Sequence, residues 1–142
     1  MSGIKIFKPV IQEEKTGCAI ASVAVITKSS YGKVKKIANS IGIYAEDSNL
    51  WSKTDYIRRL LSEFKIKTGS REIPFKNWET LPNVALLATK WQKEQNKPAW
   101  HWCVFVREDN SMAVFDSNRN LKNNLRTDFE RIKPKWFIEV KL

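Results

Sequence analysis

The chain carries two cysteines, Cys18 and Cys103, and a single histidine, His101. A thiol becomes a nucleophile when a base takes its proton or an imidazolium holds the thiolate. One histidine leaves one candidate for that partner, so His101 is read as the base and general acid of a cysteine site. Cys18 is the better placed thiol. It follows Thr16 and Gly17 and opens the apolar run Cys18–Ile26, the pattern of a buried helix start. Unpaired N–H groups and a partial positive charge at a helix N-terminus favour thiolate over thiol. Gly17 permits a sharp turn and leaves the sulfur uncovered. Either residue alone has a blander reading, a small buried hydrophobe for the cysteine and a satisfied structural ring for the histidine.

Spacing joins them to other polar groups. Glu108-Asp109-Asn110-Ser111 separates two runs rich in Val and Phe, a hairpin signal. A turn centred on Asp109–Asn110 sets Ser117 or Asn118 opposite His101, with Asp116 beside them on the second strand. A carboxylate there can accept from one ring nitrogen and leave the other for the thiol. Asp116 is the first choice as orienter and Asn118 the second. Gln12, shortly before Cys18, is the candidate side-chain donor to a developing oxyanion, together with the Cys18 N–H. Gly17, Trp100 and Trp102 flank the two reactive residues and are the candidates for substrate contact.

The elements that must position these groups change character along the chain. Cys18 to about Lys28 is apolar on every side, which predicts a central helix covered all round. Val34, Ile37, Ala38 and Ile41 give a second, amphipathic helix over Tyr31–Ile41, stopped by Gly42. Ser52 with Asp55 reads as a capping box for a third, whose stripe is Ile57, Leu60, Leu61 and Phe64. Ile4–Phe7 reads as a short strand. Val84–Thr89, His101–Arg107, Met112–Asp116 and the alternating Trp136–Leu142 read as strands, with Trp91–Trp100 a polar loop into His101. Helices first and an antiparallel sheet afterwards predict one α+β domain spanning 1–142.

Composition bounds the rest. A chain of 142 residues with 42% hydrophobic residues buries an adequate core without disulfides or a structural metal. The start has no signal-peptide pattern and Cys18–Ile26 is too short to span a bilayer, so the expected home is the cytoplasm, or export by a route without such a signal. The net charge of +10 is spread along the chain. Lysines on solvated helix faces account for most of it; it also admits nucleic acid, an anionic membrane face or an acidic partner, although no nucleic-acid motif accompanies it. His101, Cys103, Cys18 and Asp116 could in principle ligate zinc, but no C-x-x-C pair supports this, and neither metal nor cofactor is expected.

Taken together, Gln12, Thr16-Gly17-Cys18-Ala19-Ile20-Ala21-Ser22, Ala99-Trp100-His101-Trp102-Cys103-Val104-Phe105-Val106 and Ala113-Val114-Phe115-Asp116-Ser117 resemble the papain-like cysteine peptidases. The branch they look most like is that of the bacteriocin-processing peptidases, which cut after double-glycine leaders, and their stand-alone relatives. The resemblance implies a papain-like fold, its central helix packed on a C-terminal antiparallel sheet. It also implies Cys18 as nucleophile, His101 as base, Asp116 as orienter and Gln12 as oxyanion donor. The branch usually has Asp-Cys-Gly at its nucleophile and Asp-Pro after its second strand; here Gly17-Cys18-Ala19 and Asp116-Ser117 stand instead. The expected function is a hydrolase of amide or peptide bonds, a small bacterial protease or a protease-like effector or toxin. Its partners would be a peptide or protein substrate and an inhibitor or immunity protein. A non-catalytic binding module and a basic nucleic-acid-binding or nuclease domain are the alternatives.

Overall fold

The computed structural model describes residues 3–94 and 96–142. Three helices lead among these residues: α1 (Cys18–Thr27), α2 (Tyr31–Ser40) and α3 (Asp55–Ser62). Strands follow: β1 (Lys67–Thr68), β2 (Ile73–Pro74), β3 (Val84–Glu94), β4 (Lys97–Glu108), β5 (Ser111–Phe115), β6 (Leu125–Arg126) and β7 (Trp136–Lys141). They form one antiparallel sheet in the order β1-β7-β3-β4-β5-β6, with β2 also on β7. This is the α+β arrangement the sequence predicts.

Ala19 to Ile26 of α1 are all buried. A helix without a polar face must be covered on every side, and β4, α2 and α3 do so. In α2 the Ser30 side chain accepts from the Lys33 N–H, and Tyr31, Val34 and Ala38 face inward. Gly42, at φ +83°, turns the chain away after it. Along β4 the side chains alternate. Trp102, Val104 and Val106 join the helices in one core, while Cys103 and Phe105 join Leu87, Val114 and Phe137 in a second core on the opposite face. Trp78 closes that second core, its ring centroid 4.9 Å from those of Phe75 and Phe129.

Three local expectations are corrected. Ile4–Phe7 is not a strand: the N–H groups of Lys5, Ile6 and Phe7 converge on the Glu108 carboxylate instead of a neighbouring ladder. The third helix starts at Asp55; Thr54 at its N-cap makes no side-chain capping bond, its Oγ1 accepting from Arg58 Nη1 instead, and Ser52 donates to the Pro98 carbonyl. The capping-box spacing was present without its geometry. Of the expected loop Trp91–Trp100, which includes Gln95 outside the described residues, Trp91–Glu94 and Lys97–Trp100 are strand, because β3 and β4 run on through Gln92↔Ala99, Lys93↔Pro98 and Glu94↔Lys97. Ladder pairing overrides the polar composition there, at the cost of a register shift between Thr89 and Gln92.

Candidate active site

Two elements converge on the sulfur. Cys18 is the first residue of α1, where the opening N–H groups have no intrahelical acceptor. Its Sγ accepts from the Trp102 main-chain N–H at 3.4 Å, so the His101–Trp102 stretch of β4 abuts the helix tip. The β4–β5 ladder pairs Val104 with Phe115, the register expected from a turn at Asp109–Asn110. That register carries Asp116, one residue past β5, to His101. Nε2 of His101 lies 2.7 Å from Asp116 Oδ1.

Asp116 is held from several sides. Oδ1 also accepts from the Asn118 N–H at 3.1 Å, and Oδ2 accepts from Arg126 Nη1 at 3.1 Å. Arg126 in turn forks onto Asp128 through Nε and Nη2, at 2.9 and 2.8 Å. The Asn124 amide donates to the carbonyls of Asp116 and Asn118. Asn118 therefore meets the Asp116 carboxylate through its main chain, and the group facing the ring is Asp116. Arg126, Asp128 and Asn124 have no sequence signal linking them to the site; only the return of β6 alongside β5 does so.

These contacts set the charges. Burial opposes ionisation of Asp116, but the His101 hydrogen bond and charge, the Asn118 N–H and Arg126 outweigh it and hold the carboxyl far below the ordinary range. Burial likewise opposes charge on His101. The hydrogen bond to Asp116, with further ones involving Cys103 and Cys18, prevails and raises the ring to about 12. Facing a carboxylate, Nε2 carries the hydrogen in the neutral ring, and Nδ1 is the nitrogen left for a thiol proton. Burial pushes the Cys103 thiol up.

The remaining predicted residues divide: Trp100 and Trp102 line the pocket at the sulfur, whereas Gln12 and Gly17 do not. Gln12 is buried, and its Nε2 donates to the carbonyls of Glu14 at 3.0 Å and Lys15 at 2.7 Å, while Oε1 accepts from Ser117 Oγ at 2.6 Å. Both amide hydrogens are thus engaged, and Gln12 ties the loop before Cys18 to the residue after Asp116. Gly17 is required by a neighbour: a Cβ there would meet the Tyr31 hydroxyl at 2.1 Å. Its φ of −89° needs no glycine. The Trp102 indole is 2% exposed and donates to the Tyr56 hydroxyl at 2.8 Å, so its side chain belongs mainly to the core. Trp100 does border the sulfur, in a pocket of about 340 Å³ completed by Lys15, Trp51, Tyr56 and His101. A larger cavity of about 1000 Å³ near Lys5 and Lys141 holds neither Cys18 nor His101, and the site is assigned to the smaller one on chemistry.

The ligand atoms of His101, Cys103 and Asp116 all lie within 4.8 Å of one another. Cys18 is outside that group. With Asp116 Oδ1 on the ring and on Asn118, and Oδ2 on a guanidinium, a cation would have to displace existing hydrogen bonds to gain this ligand. The set fits a braced ion pair better than an open metal site.

Two solved structures share this architecture at low sequence identity. The peptidase domain of Streptococcus ComA, a bi-functional ABC transporter involved in quorum sensing, gives a TM-score of 0.61 at 16% identity, covering 94% of this chain and 97% of that one. A double glycine motif protease from an AMS/PCAT transporter, in complex with the leader peptide, gives 0.61 at 11% identity, covering 94% and 90%. No protein-family model matches the chain, and no curated protein matches it in sequence. Among the described residues no helix is long and apolar enough to cross a membrane.

Proposed function

We propose that this chain, which has the fold of the papain-like double-glycine peptidase domains, is a cysteine hydrolase of peptide bonds in which Cys18, His101 and Asp116 act together. The observation that carries the reading is the convergence of a helix-tip sulfur, a main-chain N–H of β4 and a ring already bonded to a buried carboxylate.

In this reading Cys18 attacks the carbonyl carbon of the scissile bond as thiolate, its proton residing on His101 Nδ1. The carbonyl oxygen becomes an oxyanion beside the Cys18 N–H at the α1 tip. As the C–N bond breaks, the imidazolium returns its proton to the leaving amine. Water then attacks the thioester, giving one proton to His101, and the acid product leaves with the thiolate restored. Asp116 stays ionised throughout and orients the ring. Gln12 acts at one remove, by fixing the loop in front of the nucleophile, since its donors are taken.

The pocket at Cys18 supports a polypeptide substrate. Trp51, Trp100 and Tyr56 give it aromatic walls, with His101 at one side. One of the similar structures holds a leader peptide, and a leader-like peptide is the substrate class proposed here. The test is incubation with a mixture of proteome-derived peptides, read by mass spectrometry. New peptide termini with the native protein, and none with Cys18→Ala of equal melting temperature, are expected; cleavage that persists in Cys18→Ala overturns the reading.

A further inference from the structure

A second cleft, of about 460 Å³, shares no lining residue with the pocket at Cys18 and reaches the His101–Asp116 pair through two of its own residues. Thr89 lines it and donates from Oγ1 to the His101 carbonyl at 2.9 Å. Arg126 lines it too and bonds Asp116 Oδ2. Each member of the His101–Asp116 pair is thus bonded by one residue of this cleft.

Five of the nine described residues lining the cleft are basic. Besides Arg126 its ionisable lining is Lys90, Arg131, Lys133 and Lys135, with no carboxylate among the described lining residues. Those four are exposed, and none takes part in an ion pair among the described residues. Arg126 is already matched by Asp116 and Asp128. Arg131 feels the Asp128 carboxylate, which leaves Lys90, Lys133 and Lys135 without a carboxylate partner among the ion pairs of the described residues. Like charges around one concavity repel one another, and a ligand bearing several negative charges relieves that repulsion. The backbone is bent to build the arrangement. The ladder slips between Thr89 and Gln92, and Lys90 sits at φ +51°, strained for a side chain other than glycine. Lys90 and Trp91, the residues of the slip, both line the cleft, and Lys135 Nζ lies 4.8 Å above the Trp91 ring.

We infer that this cleft binds an acidic segment of a polypeptide, a short run of Asp or Glu near the bond presented to Cys18. The assignment to substrate rests on the peptidase reading above. Protein fits better than nucleic acid. Single-stranded RNA and DNA are held on successive open aromatic faces, whereas the one aromatic ring lining this cleft already carries a lysine over it. Thr89 and Arg126, each bonded to one member of the His101–Asp116 pair, bring the cleft close to the residues that the peptidase reading makes catalytic.

The experiment uses the full chain as Cys18→Ala, so that binding is read without turnover. Fluorescence anisotropy is measured with a labelled Gly/Ala peptide carrying six glutamates, the same peptide carrying six glutamines, and an RNA hexanucleotide. The glutamate peptide should bind and the glutamine peptide should not. The double substitution Lys133→Glu/Lys135→Glu should weaken the glutamate peptide at least about tenfold. The control Lys33→Glu/Lys36→Glu, on the exposed face of α2, carries the same charge change and should alter it less than about twofold. Equal weakening by the two doubles, the mark of diffuse attraction to a basic protein, overturns the proposal. So does cleft-dependent binding of RNA without binding of the glutamate peptide. Arg131→Gln, milder than charge reversal, should give a smaller loss in the same direction if the double variant does not fold. Cleft-dependent binding in a protein whose Cys18 proves unactivated would leave the site standing and remove only its link to cleavage.

Discussion

His101 Nε2 and Asp116 Oδ1 stand 2.7 Å apart, with the carboxylate 2% exposed and its second oxygen on Arg126. The pair is ionised in the fold at pH values where free groups would differ, and this makes its stability contribution depend on pH. Asp116 is lowered, so its part is complete above the unfolded value of about 3.9 and is lost as pH falls toward the lowered one. His101 is raised, so its part is complete below about 6.5 and is lost as pH climbs toward about 12. Asp116→Asn should therefore destabilise most between about pH 4 and 6.5, by about 3–5 kcal/mol for a broken buried pair. Urea midpoints of both proteins across pH 2–9 check this; the gap should close on acidification. A gap independent of pH would place the effect in packing.

Arg126 should matter through Asp116. Arg126→Ala removes one of the groups holding that carboxylate ionised and leaves Oδ2 without its partner. The acid side of the stability profile should then move upward in pH, alongside a loss of about 1–3 kcal/mol. Arg126→Lys should rescue only part, since an ammonium lacks the fork that meets Asp128 and Asp116 together.

Gln12 separates two accounts of the oxyanion. With both amide hydrogens on the Glu14 and Lys15 carbonyls, Gln12→Ala should loosen residues 13–16, and hydrogen exchange there should rise. Activity and melting temperature should fall together. Were Gln12 the direct donor, activity would fall by about 10²–10³ with little change in melting temperature. Gln12→Glu should be worse than Ala, because it sets a carboxylate against two carbonyl oxygens.

Gly17→Ala should destabilise by about 1–3 kcal/mol, because the new Cβ meets the Tyr31 hydroxyl. That hydroxyl is fixed by a hydrogen bond to Glu14, which also pairs with Lys35. In a double-mutant cycle Tyr31→Phe should make the alanine less costly, since the clashing oxygen is gone. Additive losses would mean that the clash does not govern Gly17.

Much of the site could be read before the fold was known, because local signals agreed with global ones. Helix α1 announced itself by a run with no polar face, and the β4–β5 register followed from one short turn, bringing Asp116 near His101. Asymmetries within the fold stayed hidden. Nothing in residues 91–100 distinguishes a polar loop from a paired strand end; the partner strand decides it. Gly17 looked like a device for uncovering sulfur, yet a tyrosine on another helix imposes it. Gln12 has the spacing of an oxyanion donor, but Ser117 and two loop carbonyls determine where its amide points. Arg126 and the cationic cleft arise from chain segments far apart in sequence, meeting through β6 and the approach to β7.

The most direct measurement is the rate of Cys18 alkylation by iodoacetamide at pH 6, compared between the native protein and a folded His101→Ala variant. An activated pair predicts alkylation at least about a hundredfold faster in the native protein, with Cys103, buried in the second core, unlabelled in both. Equal rates would show that the histidine does not activate this sulfur, and the hydrolase mechanism would fall.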